Sequence, residues 1–120
     1  FDFGKYEHMA RGGIISTEWT SQMIVSLKIM AEYYKENREF NKAAYYTKKA
    51  DFYLSEIEKM VIVSPSKMGQ GHGCLPYATQ EDADTGHGWR VAHGTRTGST
   101  ASTAYTIFAK YNYNPLSLDQ

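Results

Sequence analysis

Between Trp19 and Val61 the apolar and small residues fall twice into the three-and-four spacing of a helix face. One short polar break, "KENRE", separates the two runs at about 36–39. The first run is Trp19, Met23, Leu27, Met30, Ala31 and Tyr34. The second is Phe40, Ala43, Ala44, Thr47, Ala50, Leu54, Ile57 and Val61. Two amphipathic helices joined by so short a break fold back on each other, each covering the other's stripe. "STEW" supplies the start of the first, where Ser16 or Thr17 caps free amides and Glu18 complements the positive end of the dipole. Pro65, in "SPSKMG", stops the second. Helices are therefore predicted at about 16–36 and 40–62. A third is predicted at about 98–111, ended by "YNP" because Asn114 precedes proline. Its first half, "STASTA", is all small residues and lets another backbone approach closely. The fold class expected is all-α: an antiparallel helix hairpin, a long ordered Gly-rich loop and a C-terminal helix.

From Ser64 to about Arg96 no period is visible, and Gly69, Gly71, Gly73, Gly86, Gly88 and Gly94 punctuate the run. Loops beyond about 12–15 residues without secondary structure are uncommon in compact domains, and are usually functional or disordered. This one carries Leu75, Pro76, Tyr77 and Trp89, which a solvated linker avoids. An ordered loop at 64–96, packed across the hairpin, is expected.

A length of 120 residues suits one small domain or a fragment of something larger, and the start at Phe1 suggests a processed or partial chain. Zero net charge argues against a nucleic-acid footprint or an anionic-membrane surface, and no apolar run approaches the length of a membrane span. Neither nucleic acid nor membrane is expected as a partner. The lone Cys74 forms no internal disulfide. Ten tyrosines and two tryptophans supply flat apolar faces with polar tips, suited to interfaces and to sugar rings.

The chemistry-bearing residues gather in the loop and at the start of the first helix. His72, Cys74, His87 and His93 with Asp82 or Asp84 lack the spacing of a familiar zinc site, and "EDAD" lacks the EF-hand pattern. No metal and no cofactor are expected. Cys74 reads as a small packed residue rather than a nucleophile. Glu18, Asp82 and Asp84 are the candidate acid and base of glycoside chemistry, with Trp19, Tyr77, His87 and Trp89 as candidate substrate-binding residues. Each has a plainer alternative. Glu18 serves as a helix N-terminal acid, "EDAD" as a solvated turn or cap, and His87 as a histidine satisfied by backbone carbonyls.

Three stretches together carry a family resemblance: "GGIISTEWTSQMIVSLKIMAEYY", "GCLPYATQEDADTGHGW" and "TGSTASTAYTIFAKYNYNPL". From about Gly12 to Leu116 the chain resembles the closing hairpins of an (α/α) toroid of the six-hairpin glycosidase type. The resemblance implies a carbohydrate-related module, secreted or periplasmic, and architecture more than activity. Such a ring needs about a dozen helices, and at about 11–12 residues per helix plus loops 120 residues, with three helices predicted, do not close it. The chain is then either part of a larger protein or a reuse of such hairpins for assembly. Residues 27–55 also resemble a single tetratricopeptide-type hairpin, with Leu27, Met30, Ala31, Tyr34, Phe40, Ala43 and Ala50 on the family's positions. Thr47 and Ser55 depart from it. That second resemblance implies a structural protein that self-associates by stacking, its aromatic N-terminus filling a neighbour's groove.

Overall fold

A computed structural model describes residues 1–63, 73–93 and 97–117, apart from the side chain of Tyr6. It is all-α: a 3₁₀ turn at Tyr6–His8, then α1 (Thr17–Glu36), α2 (Phe40–Glu58) and α3 (Thr100–Lys110). Among the described residues there is no strand, only isolated antiparallel bridges. Residues 64–72 and 94–96 of the expected loop, Pro65 included, lie outside the described residues.

Ser16 caps α1, its side chain accepting from the Trp19 amide at 3.3 Å. At the other end Asn37 closes the helix with two bonds to the Tyr33 carbonyl, and Arg38 turns the chain at φ 59. The polar break thus makes a tight turn into α2, and the two helices pack as the antiparallel hairpin that the spacing dictates.

The buried faces differ from the expected stripes. On α2 they narrow to Ala43, Ala50 and Ile57, seven residues apart, while Phe40, Ala44 and Thr47 are exposed. On α1 they widen to Thr17, Thr20, Ser21, Ile24, Val25, Leu27 and Ala31, and Met23 faces outward. The cause is that α1 is covered twice, by α2 on one flank and by α3 on another, whereas α2 and α3 barely meet. An apolar count misses the second flank because hydroxyl residues build it. Thr17 Oγ1 lies 2.8 Å from Ser102 Oγ, and Ser21 Oγ lies 2.7 Å from Thr106 Oγ1. All four side chains are buried, and each finds its partner across the seam. The small residues of "STASTA" are what let the two backbones come this close.

Two helix ends are corrected. α2 stops at Glu58 rather than near residue 62. Met60 and Val61 bond back only three residues, and Ile62 then exchanges backbone bonds with the loop, at 2.8 Å to the Cys74 carbonyl and 2.7 Å from the Gly73 amide. Tertiary pairing outcompetes one more helical turn. α3 begins at Thr100 rather than Gly98, because Gly98 bridges to Pro76 and Ser99 takes the cap, accepting from the Ser102 amide at 3.2 Å. Its C-terminus ends on Asn112 at φ 58, as a helix stop of this kind commonly does, and Lys28 donates to the Ala109 carbonyl at 2.6 Å.

The segment 75–79 of the loop is stitched to the starts of α1 and α3. The Thr17 amide donates to the Tyr77 carbonyl at 3.1 Å, the Thr79 amide to Ile15 at 3.0 Å, and the Ser99 amide to Leu75 at 2.8 Å. Two apolar clusters result. Ile24, Val25, Leu27, Ala50, Ile57, Leu75 and Ala109 join the three helices. Phe3, Ile14, Ala78, Ala83 and Val91 lie beneath the loop.

Candidate functional site

Residues 82–91 form a miniature hairpin. The Asp82 amide bonds to the Val91 carbonyl at 3.1 Å, Val91 back to Ala83 at 2.9 Å, and Thr85 to Trp89 at 3.2 Å. Its tip, Gly86-His87-Gly88, needs positive φ at both glycines, 78 and 83. A Cβ at Gly86 would also run into the end of the Met9 side chain. The tip therefore holds His87 up between two residues that only glycine serves well.

The N-terminal arm folds underneath. Phe3 is only 2% exposed and its ring is the hub of the loop cluster. Trp19 meets it edge-on at 5.2 Å between centroids, Trp89 edge-on at 5.3 Å, and Tyr77 stacks at 5.5 Å. His87 leans on Trp19 at 5.7 Å, and its Nε2 lies 2.7 Å from the Phe3 carbonyl oxygen. A carbonyl only accepts, so Nε2 carries the proton of this bond. The arm is pinned by a bidentate pair in which Arg11 grips both carboxylate oxygens of Asp2 at 2.9 and 2.6 Å. Arg11 also donates to the Asp84 carbonyl, tying the arm to the hairpin. The Arg11 hydrogen bonds hold the Asp2 carboxyl far below the usual carboxylate range, against a smaller opposing effect of burial. The Ile14 amide adds a third bond to it at 3.0 Å.

The four proposed substrate-binding residues, Trp19, Tyr77, His87 and Trp89, thus converge from α1 and from two turns of the loop. Trp89 remains 40% exposed at the rim, and Trp19 and Tyr77 are half-buried. The three proposed catalytic carboxylates are placed differently. Glu18 sits in the first turn of α1 and accepts from the Gln22 side-chain amide at 3.1 Å. It is near enough to Tyr77 that its charge, secondary to burial, raises the pKa of that phenol. Asp84 accepts from the Gly86 amide at 2.8 Å and so shapes the hairpin tip. Asp82, at φ 54, pairs with Arg90 at 3.0 Å in a solvent-exposed turn. Among the described residues no three His, Cys, Asp or Glu side chains are grouped to hold a metal ion.

Sequence reasoning missed Phe3 as the centre of this cluster and Asp2 and Arg11 as its clamp. The signal present was the alternation of "FDF", which fits an extended arm with two rings on one side. The expectation that the aromatic N-terminus fills a neighbour's groove is corrected at Phe3, whose ring is buried within its own chain.

Beside the cluster, Phe1, Asp2, Trp19, Gln22, Met23 and Ser26 line a shallow groove of about 320 Å³. A larger cleft of about 420 Å³ opens where α2 and α3 diverge over α1, between Ile29, Ala50, Phe108 and Tyr113. The cleft contains none of the seven nominated residues. Its lysine, Lys28, is already committed to the Ala109 carbonyl and, at 2.7 Å, to the Asn112 side-chain oxygen. The cleft also carries two rings, Phe108 and Tyr113, and two carboxylates, Glu32 and Asp51. Compared with protein-family profiles, curated proteins and solved structures, the chain matches none.

Proposed function

We propose that this chain is a carbohydrate-binding module whose sugar face is the rim of the Phe3 cluster. The observation that carries the reading is the convergence of Trp19, Tyr77 and Trp89 on one buried ring, with His87 packed against Trp19 and Trp89 left 40% exposed. Rings held by other rings offer a pyranose a flat apolar platform at little entropic cost. Glu18, Gln22 and the Nδ1 of His87 supply hydrogen-bonding groups near it. The proposal is recognition rather than turnover. Asp82 and Asp84 are engaged in turn formation, and the resemblance to toroid glycosidases points to carbohydrate more than to a reaction.

The test is Trp89→Ala, measured twice on one protein. Tryptophan-to-alanine costs about 3–5 kcal/mol at a fully buried site. A rim residue with this exposure is expected to cost less than about 2 kcal/mol while lowering oligosaccharide affinity at least tenfold. A variant that unfolds, or one that binds as the parent does, removes the reading. Self-association by stacking is the alternative. It is favoured by Tyr45 and Phe52, seven residues apart on the outer face of α2 and more than half exposed. Sedimentation of the same samples decides it: assembly that Trp89→Ala leaves intact, without sugar binding, supports stacking.

A further inference from the structure

Met9 joins two parts of the aromatic cluster that the chain order keeps far apart. It follows the 3₁₀ turn at Tyr6–His8, which brings the chain back so that the Met9 methyl lies against Gly4, one residue beyond Phe3. The same methyl lies against Gly86, one residue before His87. Neither glycine leaves room for more. A Cβ on Gly4 would come within 2.7 Å of Met9 Cε and 3.7 Å of the Thr85 carbonyl oxygen. One on Gly86 would overlap Cε and stand 3.5 Å from Sδ. The thioether is thus a wedge between the arm and the hairpin tip, one residue from each end of the 2.7 Å bond that joins His87 Nε2 to the Phe3 carbonyl. Met9 as a whole is half-buried rather than enclosed.

We propose that Met9 is an oxidation site that governs the contact between arm and hairpin tip: hydrogen peroxide converts its thioether to the sulfoxide, and Phe3 parts from His87. One peroxide oxygen bonds to sulfur as the O–O bond breaks, and the other leaves as water with both protons. Sulfur is oxidised by two electrons and the peroxide is reduced by the same two. The product is polar where the thioether was apolar, and it is larger by one oxygen. An oxygen added to a sulfur packed this closely either displaces a backbone or turns to water, and both draw the wedge out of the contact. The bidentate Arg11–Asp2 pair has no part in the chemistry, so the arm stays tethered and the change is reversible by reduction. Met23 is the internal comparison. It is 38% exposed on α1, where a sulfoxide is hydrated in place. The proposal stands apart from the carbohydrate reading.

The test exposes the whole chain to hydrogen peroxide and follows each methionine by peptide mass spectrometry. The indole N–H resonances of Trp19 and Trp89, both edge-on to Phe3, read the position of its ring. Hydrogen exchange at the Thr85 amide, bonded to the Trp89 carbonyl at 3.2 Å, reads the tip, and the Thr17 amide, bonded to Tyr77 at 3.1 Å, serves as reference. Conversion of Met9 is expected to shift both indole resonances and to speed exchange at Thr85 about tenfold relative to Thr17. Methionine sulfoxide reductase is expected to restore both. Met9→Leu, close in volume, is expected to fold as the parent does and to hold both readouts steady in peroxide. Met23→Leu is expected to respond like the parent. Readouts unmoved by Met9 conversion, a Met9 that stays reduced while Met23 is fully converted, or a response that persists in Met9→Leu overturns the proposal. Should Met9→Leu itself loosen the tip, the parent's time course decides: a response that tracks Met9 conversion supports the proposal, and one that tracks Met23 overturns it.

Discussion

Phe3→Ala is the perturbation that most directly questions the architecture. The ring is 2% exposed and touches Trp19, Tyr77 and Trp89 with centroids 5.2 to 5.5 Å away. Truncating a fully buried phenylalanine costs about 3–5 kcal/mol, combining lost transfer energy with an unfilled cavity. Two of its neighbours lie near the surface and are free to close in, which places the expected cost at the lower end, about 3 kcal/mol. For a chain of this size each kcal/mol moves the melting temperature by about 4 °C, so a fall of about 12 °C is expected. Both tryptophans of the chain belong to the cluster, so urea unfolding followed by fluorescence reads the loop directly. Far-UV circular dichroism on the same samples reads the helices. If the arm detaches alone, the fluorescence transition shifts to lower urea and the helical one moves less. Two transitions that coincide with those of the parent would show that Phe3 is not in the cluster, and the site with it would have no foundation.

Two further outcomes are expected. Because Asp2 titrates far below an unfolded aspartate, its pairing with Arg11 stabilises the fold fully above about pH 4 and is lost as pH falls below that. Asp2→Asn should cost about 1–3 kcal/mol at pH 7 and flatten the fall of melting temperature between about pH 4 and 2; an equally steep acid profile would mean that the pair does not form. At the α1–α3 seam, Ser21→Ala should cost about 1 kcal/mol, and adding Thr106→Val should recover part of it. A double-mutant cycle by urea denaturation that shows no coupling would deny the 2.7 Å contact.

The hairpin was legible because its signals are local: a break of a few polar residues, an N-cap at Ser16, and apolar positions at helical spacing. The end of α2 was not, since Ile62 leaves the helix for partners at Gly73 and Cys74, and no local propensity registers that pairing. The width of the α1 core escaped for a chemical reason. Thr17, Ser21, Ser102 and Thr106 look like surface residues until their hydroxyls are seen to satisfy one another. At the candidate site, Tyr77, His87 and Trp89 stood out by type, because large rings and a glycine-flanked histidine are conspicuous in an aperiodic loop, and Trp19 stood out as a tryptophan in the first turn of a helix. Their common partner did not. Phe3 lies 84 residues from His87, and contact at that range leaves no trace in spacing.

The covering of α1 on two flanks has a consequence in chain entropy. The turn into α2 closes over five residues, from the Tyr34 carbonyl to the Glu39 amide. The seam with α3 closes over 85, from Ser21 to Thr106. Loop-closure cost rises by about 0.6 kcal/mol for each doubling, so the seam carries on the order of 2–3 kcal/mol more of it than the turn. That burden falls on an interface made of hydroxyls and small side chains, which gains less from burial than the apolar contact between α1 and α2. The hairpin is thus the self-sufficient half of the chain. α3 is held by its hydroxyl pairs, the Leu75 amide bond to Thr103, the Lys28 cap, the packing of Ala109 and Phe108 in the core and the Lys110–Glu58 ion pair, and its release ahead of the hairpin is the expected order when stability is withdrawn.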